Sequence, residues 1–317
     1  MKLLTIYIPS YNRANLLLKQ LEAINNIKNK SKIRVVINDN CSTDINGYKK
    51  VEEFCVKNNF IYNRNKLNMG ADANIFNGFL NSFDSKYIWI LSDDDLLKKD
   101  AVEKIVTILE KNSLDILFFT HSKIDKLEVK MWNQRDFFEN NIKTSDGAGL
   151  ISYVIYKTDF IKNSIPIGFQ YIYTHFAHLA VLIDSFRDKN INIGRIESSQ
   201  FFIPDTNLPP PEGFGGYDHS YFGFVLLGEL FEKDIKKDFI NGWTDFFSLR
   251  HWHKKYKNGQ PNSIYAKSYI KENLNFLNFF RLKLLFWKFI LPIYELFKKT
   301  LNREKKDKLL KLLKVKF

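Results

Sequence analysis

Cysteine is scarce: the 317-residue chain has two, Cys41 and Cys55. They form no Cys-x-x-Cys motif and are too few for the multi-bridge framework of a small secreted domain, so a reducing compartment is expected, with both thiols incidental or buried. Long hydrophobic runs are also missing. A bilayer span needs roughly 18 uninterrupted apolar residues, and the best stretch, 284–294, is broken by Lys288 and Pro292. The opening MKLLTIYIP is interrupted by Pro9, Asn12 and Arg13 before a signal-peptide core can form, and is expected to be a first strand. Surplus charge is absent from most of the chain. Of the net +13, residues 276–317 hold 12 Lys/Arg against 3 Asp/Glu, leaving 36 against 32 over residues 1–275. A basic groove for nucleic acid therefore has no support in the body of the protein. With 45% hydrophobic and 26% charged residues, neither does wholesale disorder.

What the chain does contain is an apolar run that ends in acid: residues 87–95 read YIWILSDDD. As a buried strand, its alternation would send Asp93 and Asp95 to one side and Asp94 to the other. A strand's carboxyl end is where open α/β sheets bind ligands. Three adjacent carboxylates repel one another, and a divalent cation such as Mg2+ or Mn2+, shared with a substrate phosphate, would relieve that. A solvated acidic turn before the next helix is the alternative. Around this stretch, strand and helix patterns alternate. Residues 3–9, 33–39, 61–62 and 114–121 read as strands, and Leu17, Leu21 and Ile24, then Val51, Phe54 and Cys55, then Ile75 and Phe79 mark helix faces. Asp100 and Glu103 stand three apart, as in a capping box, before Val102, Ile105, Val106 and Leu109. The pattern predicts an α/β protein with a mainly parallel mixed sheet and helices on both faces.

Four loop motifs carry a family resemblance. IPSYNR (8–13), INDNCSTD (37–44), NMGADAN (68–74) and LSDDD (91–95) resemble, in order and spacing, the nucleotide-sugar-binding half of family 2 glycosyltransferases with the A-type (GT-A) fold, over residues 1–120. The resemblance implies a catalytic domain over 1–215, with a nucleotide-sugar half (1–120) and an acceptor half (121–215). Residues 216–317 then form a helical, basic, aromatic-rich extension. It implies that Pro9, Tyr11 and Arg13 line the nucleotide pocket and that Asp39 accepts a hydrogen bond from the uracil imide. Asn68, Gly70 and Asn74 would lie beside the donor sugar, Asp93 and Asp94 at the donor with Asp93 on the ribose, and Asp95 on the metal bridging the diphosphate. The arginine common before the family's asparagine in the third motif is here Ala73.

A transfer also needs a base for the acceptor hydroxyl. The Glu-Asp pair that supplies it in many family members is missing. At that point the chain reads YTHFAHL (173–179), which offers His175 or His178 three residues apart. Phe176-Ala177-His178-Leu179 resembles a pattern in glycosyltransferases of bacterial surface polysaccharides, which favours His178. Asp205, Asp218 and Glu197 are reserve bases, His219 could complete a metal shell, and Asp146 and Gly147 could border the acceptor. The tail sets aromatic and aliphatic residues among Arg281, Lys283, Lys288, Lys298 and Lys299, and Leu309, Leu312 and Leu313 among further lysines. Such basic amphipathic helices suit an anionic membrane surface. The expectation is a metal-dependent, inverting enzyme using a UDP-sugar on a glycan or lipid-linked acceptor. It would be cytoplasmic and peripheral at the inner face of the cell membrane. A catalytically inactive glycan- or nucleotide-binding module is the alternative.

Overall fold

The computed structural model describes residues 1–141, 149–187 and 189–203, together with 223, 226–231 and 235. The predicted helical tail and its membrane-facing residues lie outside the described residues, as do Asp146, Gly147, Asp205, Asp218 and His219.

The strand-helix alternation is realised from the first residues. β1 (Lys2–Ser10), α1 (Ala14–Asn25), β2 (Ile33–Asp39), α2 (Ile45–Asn58), β3 (Ile61–Arg64), α3 (Ala71–Leu80), β4 (Ser85–Ile90) and α4 (Ala101–Lys111) follow in turn. Then come β5 (Ile116–Thr120), β6 (Glu128–Trp132), α5 (Gln134–Asn141), β7 (Val154–Lys157), α6 (Thr158–Ile161), α7 (Ile165–Gln170), α8 (Ala177–Ser185) and β8 (Ile191–Glu197). Among the described residues the strands form one sheet in the order β3-β2-β1-β4-β7-β5-β8-β6. It is parallel across β3-β2-β1-β4 and β5-β8, while β7 and β6 run antiparallel to their neighbours. β6 was not legible in the sequence, because four of its five residues are exposed and give no apolar alternation.

Side-chain alternation divides the core in two. Leu4, Ile6 and Ile8 of β1 pack with Leu17 and Leu21 of α1, Val51 of α2 and Ile105 of α4 on one face. Tyr7 of β1 joins Phe76 and Phe79 of α3, Phe137 of α5 and Leu179 of α8 on the other. Both faces are thus covered, which is what lets strands as apolar as Ile33–Asp39 exist.

The chain runs from β1 outward to β2 and β3, then returns to place β4 on β1's other side. The carboxyl ends of β1 and β4 therefore flank a topological switch point, the position at which open α/β sheets hold ligands.

Two local expectations are corrected. Asp100 precedes α4 but makes no side-chain cap bond. Its carboxylate pairs with Lys104 at 2.6 Å, and Glu103 accepts instead from the Lys28 backbone N–H at 3.0 Å, so no capping box forms. The strand also stops short of its acids. After β4 the Leu91 N–H still reaches Tyr7 O (2.9 Å), but the Ser92 N–H goes to Ser152 Oγ (2.9 Å) and the ladder ends. Asp93, Asp94 and Asp95 consequently sit on a turn, where two-residue alternation no longer applies.

Candidate functional site

The turn is held from below by one buried amide. Gln20 of α1 donates through Nε2 to Asp95 O (2.8 Å) and accepts through Oε1 from the Leu97 N–H (2.9 Å). Above it, Arg13 reaches across the switch point, and its Nη1 lies 2.8 Å from both Asp93 Oδ1 and Asp94 Oδ2. Asp93 and Asp94 therefore converge on one guanidinium, in place of the opposed directions expected of a strand. Asp93 is 3% exposed. Burial pushes its carboxyl up to about 6, against the pull of Arg13 and a 2.6 Å hydrogen bond from Ser10 Oγ. Asp94 also accepts from Ser92 Oγ. Asp95 is half-buried.

At the end of β2, Asp39 is fully enclosed. Its Oδ1 accepts from the Ser42 N–H (2.8 Å), and Oδ2 accepts from Tyr62 OH (2.9 Å) and from the Arg64 guanidinium. Arg64 also donates to Ser42 O (2.8 Å). The carboxylate expected to meet a uracil imide already accepts within the protein through both oxygens, and beside it stands Arg64, whose side chain is one-third exposed.

The third motif is fastened by asparagines. Asn74 Oδ1 accepts from Asn38 and Asn65, and its Nδ2 donates to Asn38 O. Asn40 donates to Asn68 Oδ1 (2.7 Å) and Gly70 O (3.1 Å). Asn74 is buried with its amide engaged in this way, so it braces the loop and offers no free group to a sugar. Gly70 has φ +82°, ψ 163°, which only glycine adopts without strain, and a Cβ there would meet nothing within 4 Å. Its backbone is open to approach. Asn68 lies on the exposed side of the loop, Pro9 is buried in β1 opposite Asn38, and Tyr11 is 39% exposed at the rim.

The two histidines part company. His178 is 2% exposed in α8, with Nε2 3.0 Å from Gly149 O, and burial holds its imidazole down to about 4. The residue expected to be the base is thus enclosed in α8 and bonded to a carbonyl in this structure. His175 precedes α8 at φ +65° and places Nδ1 2.8 Å from Asp72, in the first turn of α3, two residues beyond Gly70. Of the reserve bases, Glu197 ends β8 and accepts from Ser199 Oγ (2.6 Å).

Among the described residues no three His, Cys, Asp or Glu side chains are gathered to hold a metal ion. Hard cations such as Mg2+ are commonly held by one or two carboxylates together with substrate phosphates, and Asp95, next to two carboxylates that share the single guanidinium of Arg13, fits that smaller requirement. Several site residues escaped the sequence reading: Ser10, Tyr48, Arg64, Asp72 and the asparagines 38, 40 and 65. The density of asparagine in INDN and NRNKLN was the available signal.

A doubly covered α/β sheet with polar loops gathered at its switch point defines a nucleotide-binding type of protein. The chain belongs to glycosyl transferase family 2, whose sequence profile matches residues 5–177. It is 29% identical to abequosyltransferase RfbV of Salmonella typhimurium over 209 residues, 58% of this chain and 61% of that protein. An uncharacterized glycosyltransferase of Rickettsia felis is 30% identical over 126 residues, 40% of this chain and 20% of that one. The chain thus spans less than two thirds of the length of these relatives. Among solved structures, residues 1–349 of S. aureus TarS with UDP-GlcNAc align with a TM-score of 0.57 at 15% identity, over 82% of this chain and 75% of that one. The UDP complex gives 0.57 at 14% identity, over 82% and 74%. At such identity the likeness is one of fold.

Proposed function

We propose that this chain is an inverting glycosyltransferase that moves a sugar from a UDP-sugar to a hydroxyl of a glycan or lipid-linked acceptor, in the synthesis of bacterial surface polysaccharide or oligosaccharide. The observation that carries the reading is the meeting of Arg13 with Asp93 and Asp94 across the β1–β4 switch point, inside a family 2 chain. Solved structures of similar fold that hold UDP and UDP-GlcNAc support the donor class.

Tyr11 offers a ring face to the base, and the Asp39–Arg64 pair offers the polar edge at the end of β2. Asp93 holds the ribose, and Arg13, already poised between two carboxylates, supplies positive charge for the diphosphate. Gly70 lets the donor approach the backbone of the third motif. Asp95 would hold the divalent cation, Mg2+ or Mn2+, which would supply charge stabilisation to the departing diphosphate. His175 is the base, its ring oriented by Asp72, which also stabilises the imidazolium. The acceptor oxygen bonds to the anomeric carbon as the carbon–oxygen bond to the diphosphate breaks. The hydroxyl proton passes to His175, and the bonding pair leaves with UDP.

Among the described residues no helix is long and apolar enough to cross a membrane. The basic tail would seat the enzyme on an anionic membrane surface at the inner face of the cell membrane. A panel of nucleotide sugars, assayed for nucleotide release with and without divalent cation, tests the reading. Release from one UDP-sugar, lost in Asp95→Ala, is expected, and release from none would refute it.

A further inference from the structure

We propose that Tyr48 of α2 is a positioning residue for the nucleotide: its buried hydroxyl ties the loops after β1 and β2 and the acidic turn after β4 into one unit. Tyr48 is 2% exposed, and its ring belongs to the core between α1, α2 and the sheet. The phenol is driven upward against the loops because the first turn of α2 closes tightly on α1. A Cβ on Gly47 would lie 2.7 Å from Ala14 Cβ.

The hydrogen bonds around that hydroxyl have a direction. Ser10 donates its single proton to Asp93 Oδ2 (2.6 Å). Its oxygen, 2.6 Å from Tyr48 OH, must then accept from the phenol. The phenol oxygen in turn accepts from the Arg13 N–H (3.2 Å). Ser42 completes the link, because its N–H holds Asp39 and its Oγ accepts from the Asn12 N–H (2.9 Å). Polar links therefore run from Asp39 through Ser42 to the Asn12–Arg13 backbone, and from there through Tyr48 and Ser10 to Asp93. They join the β2 end of the cleft to the β4 end beneath the loop that carries Arg13.

The side chains that make these links are buried, so their effect is on where Arg13, Asp39 and Asp93 stand before a ligand arrives. Polar networks closed in this way fix one geometry, and cutting one member loosens its neighbours. Without the phenol, Ser10 loses the donor that orients it, and the Arg13 backbone loses its anchor. The inference rests on the donor reading only for the identity of the ligand.

The test is calorimetric binding of UDP, or of whichever diphosphate the wild type takes from UDP, CDP, GDP and dTDP, to the full chain. Tyr48→Phe removes the hydroxyl alone and is expected to weaken binding about tenfold, the effect of losing one well-placed buried hydrogen bond. KM for the matching nucleotide sugar should rise with kcat retained, a split that a general loss of folded protein would not give. Ser10→Ala should weaken binding similarly, and the double variant should lose less than the sum of the two, because the Tyr48–Ser10 link is common to both. Tyr87→Phe, which deletes a buried hydroxyl bonded to Leu114 O away from the cleft, should leave binding unchanged. Folded Tyr48→Phe that binds as the wild type does, or additive losses in the double variant, would overturn the proposal. Should Tyr48→Phe fail to fold, Ser10→Ala and Ser42→Ala cut the links on either side of the phenol and decide the same question. A wild type that takes up no diphosphate would overturn the donor reading itself, and this inference with it.

Discussion

At the scale of single residues, the two histidines of YTHFAHL, both candidates for the base in the sequence, have different surroundings in the structure. Spacing alone placed both near the acceptor. Burial and a carbonyl partner separate them, and neither is written in the local pattern. Replacing His175 by Ala is expected to lower transfer by roughly 10²–10⁴ with donor affinity retained, the usual range for losing a general base. Asp72→Asn should cost part of that, and steady-state rates with calorimetry on the same samples check both. Asp93 and His178 make a second prediction, in stability. Asp93 has its folded pKa raised from 3.8 to about 6. The folded state therefore binds its proton more tightly, and stability from this group is lost as pH rises from about 4 to 6. His178 has its folded pKa lowered from 6.5 to about 4, so its contribution is present above 6.5 and lost as pH falls to about 4. Each amounts to roughly 3 kcal/mol, and in the wild type they oppose one another across the same window. Urea melts from pH 4 to 7 should show His178→Asn losing stability as pH rises and Asp93→Asn losing it as pH falls.

At the scale of elements, helices and buried strands were legible because their apolar spacing is a direct consequence of being covered. β2 was expected over 33–39 and runs over those same residues. What escaped was how elements end. The acidic stretch was taken as a continued strand because its residues follow five apolar ones. Its direction is set by Ser152 and Gln20, which lie 60 and 75 residues away from their partners in the chain. No window of sequence contains that information. The candidate residues were thus found by motif, while their geometry depended on buried polar groups from other elements. Gln20→Leu should release the 95–97 turn, with a loss of about 2–4 kcal/mol for two buried bonds. Donor binding should weaken as well. Thermal melts and calorimetry give the two readings.

At the scale of the whole molecule, the described residues form one sheet with polar loops gathered at its switch point, and a strongly basic segment follows over 276–317. That charge division was visible from composition, since it needs only a count. If the segment serves a membrane surface, the full chain should sediment with vesicles containing phosphatidylserine and not with neutral ones. The binding should fall as salt rises, because exposed charges are screened within about 8 Å at physiological ionic strength. Binding to both vesicle types alike would argue against an electrostatic seat. The most direct test of the protein's activity is calorimetric titration with a panel of nucleoside diphosphate sugars, in chelator and in Mg2+ or Mn2+. Saturable uptake of a UDP-sugar, strengthened by the cation and lost in Arg13→Ala, is the predicted result. No uptake of any nucleotide sugar in either condition, by protein shown to be folded, would contradict it.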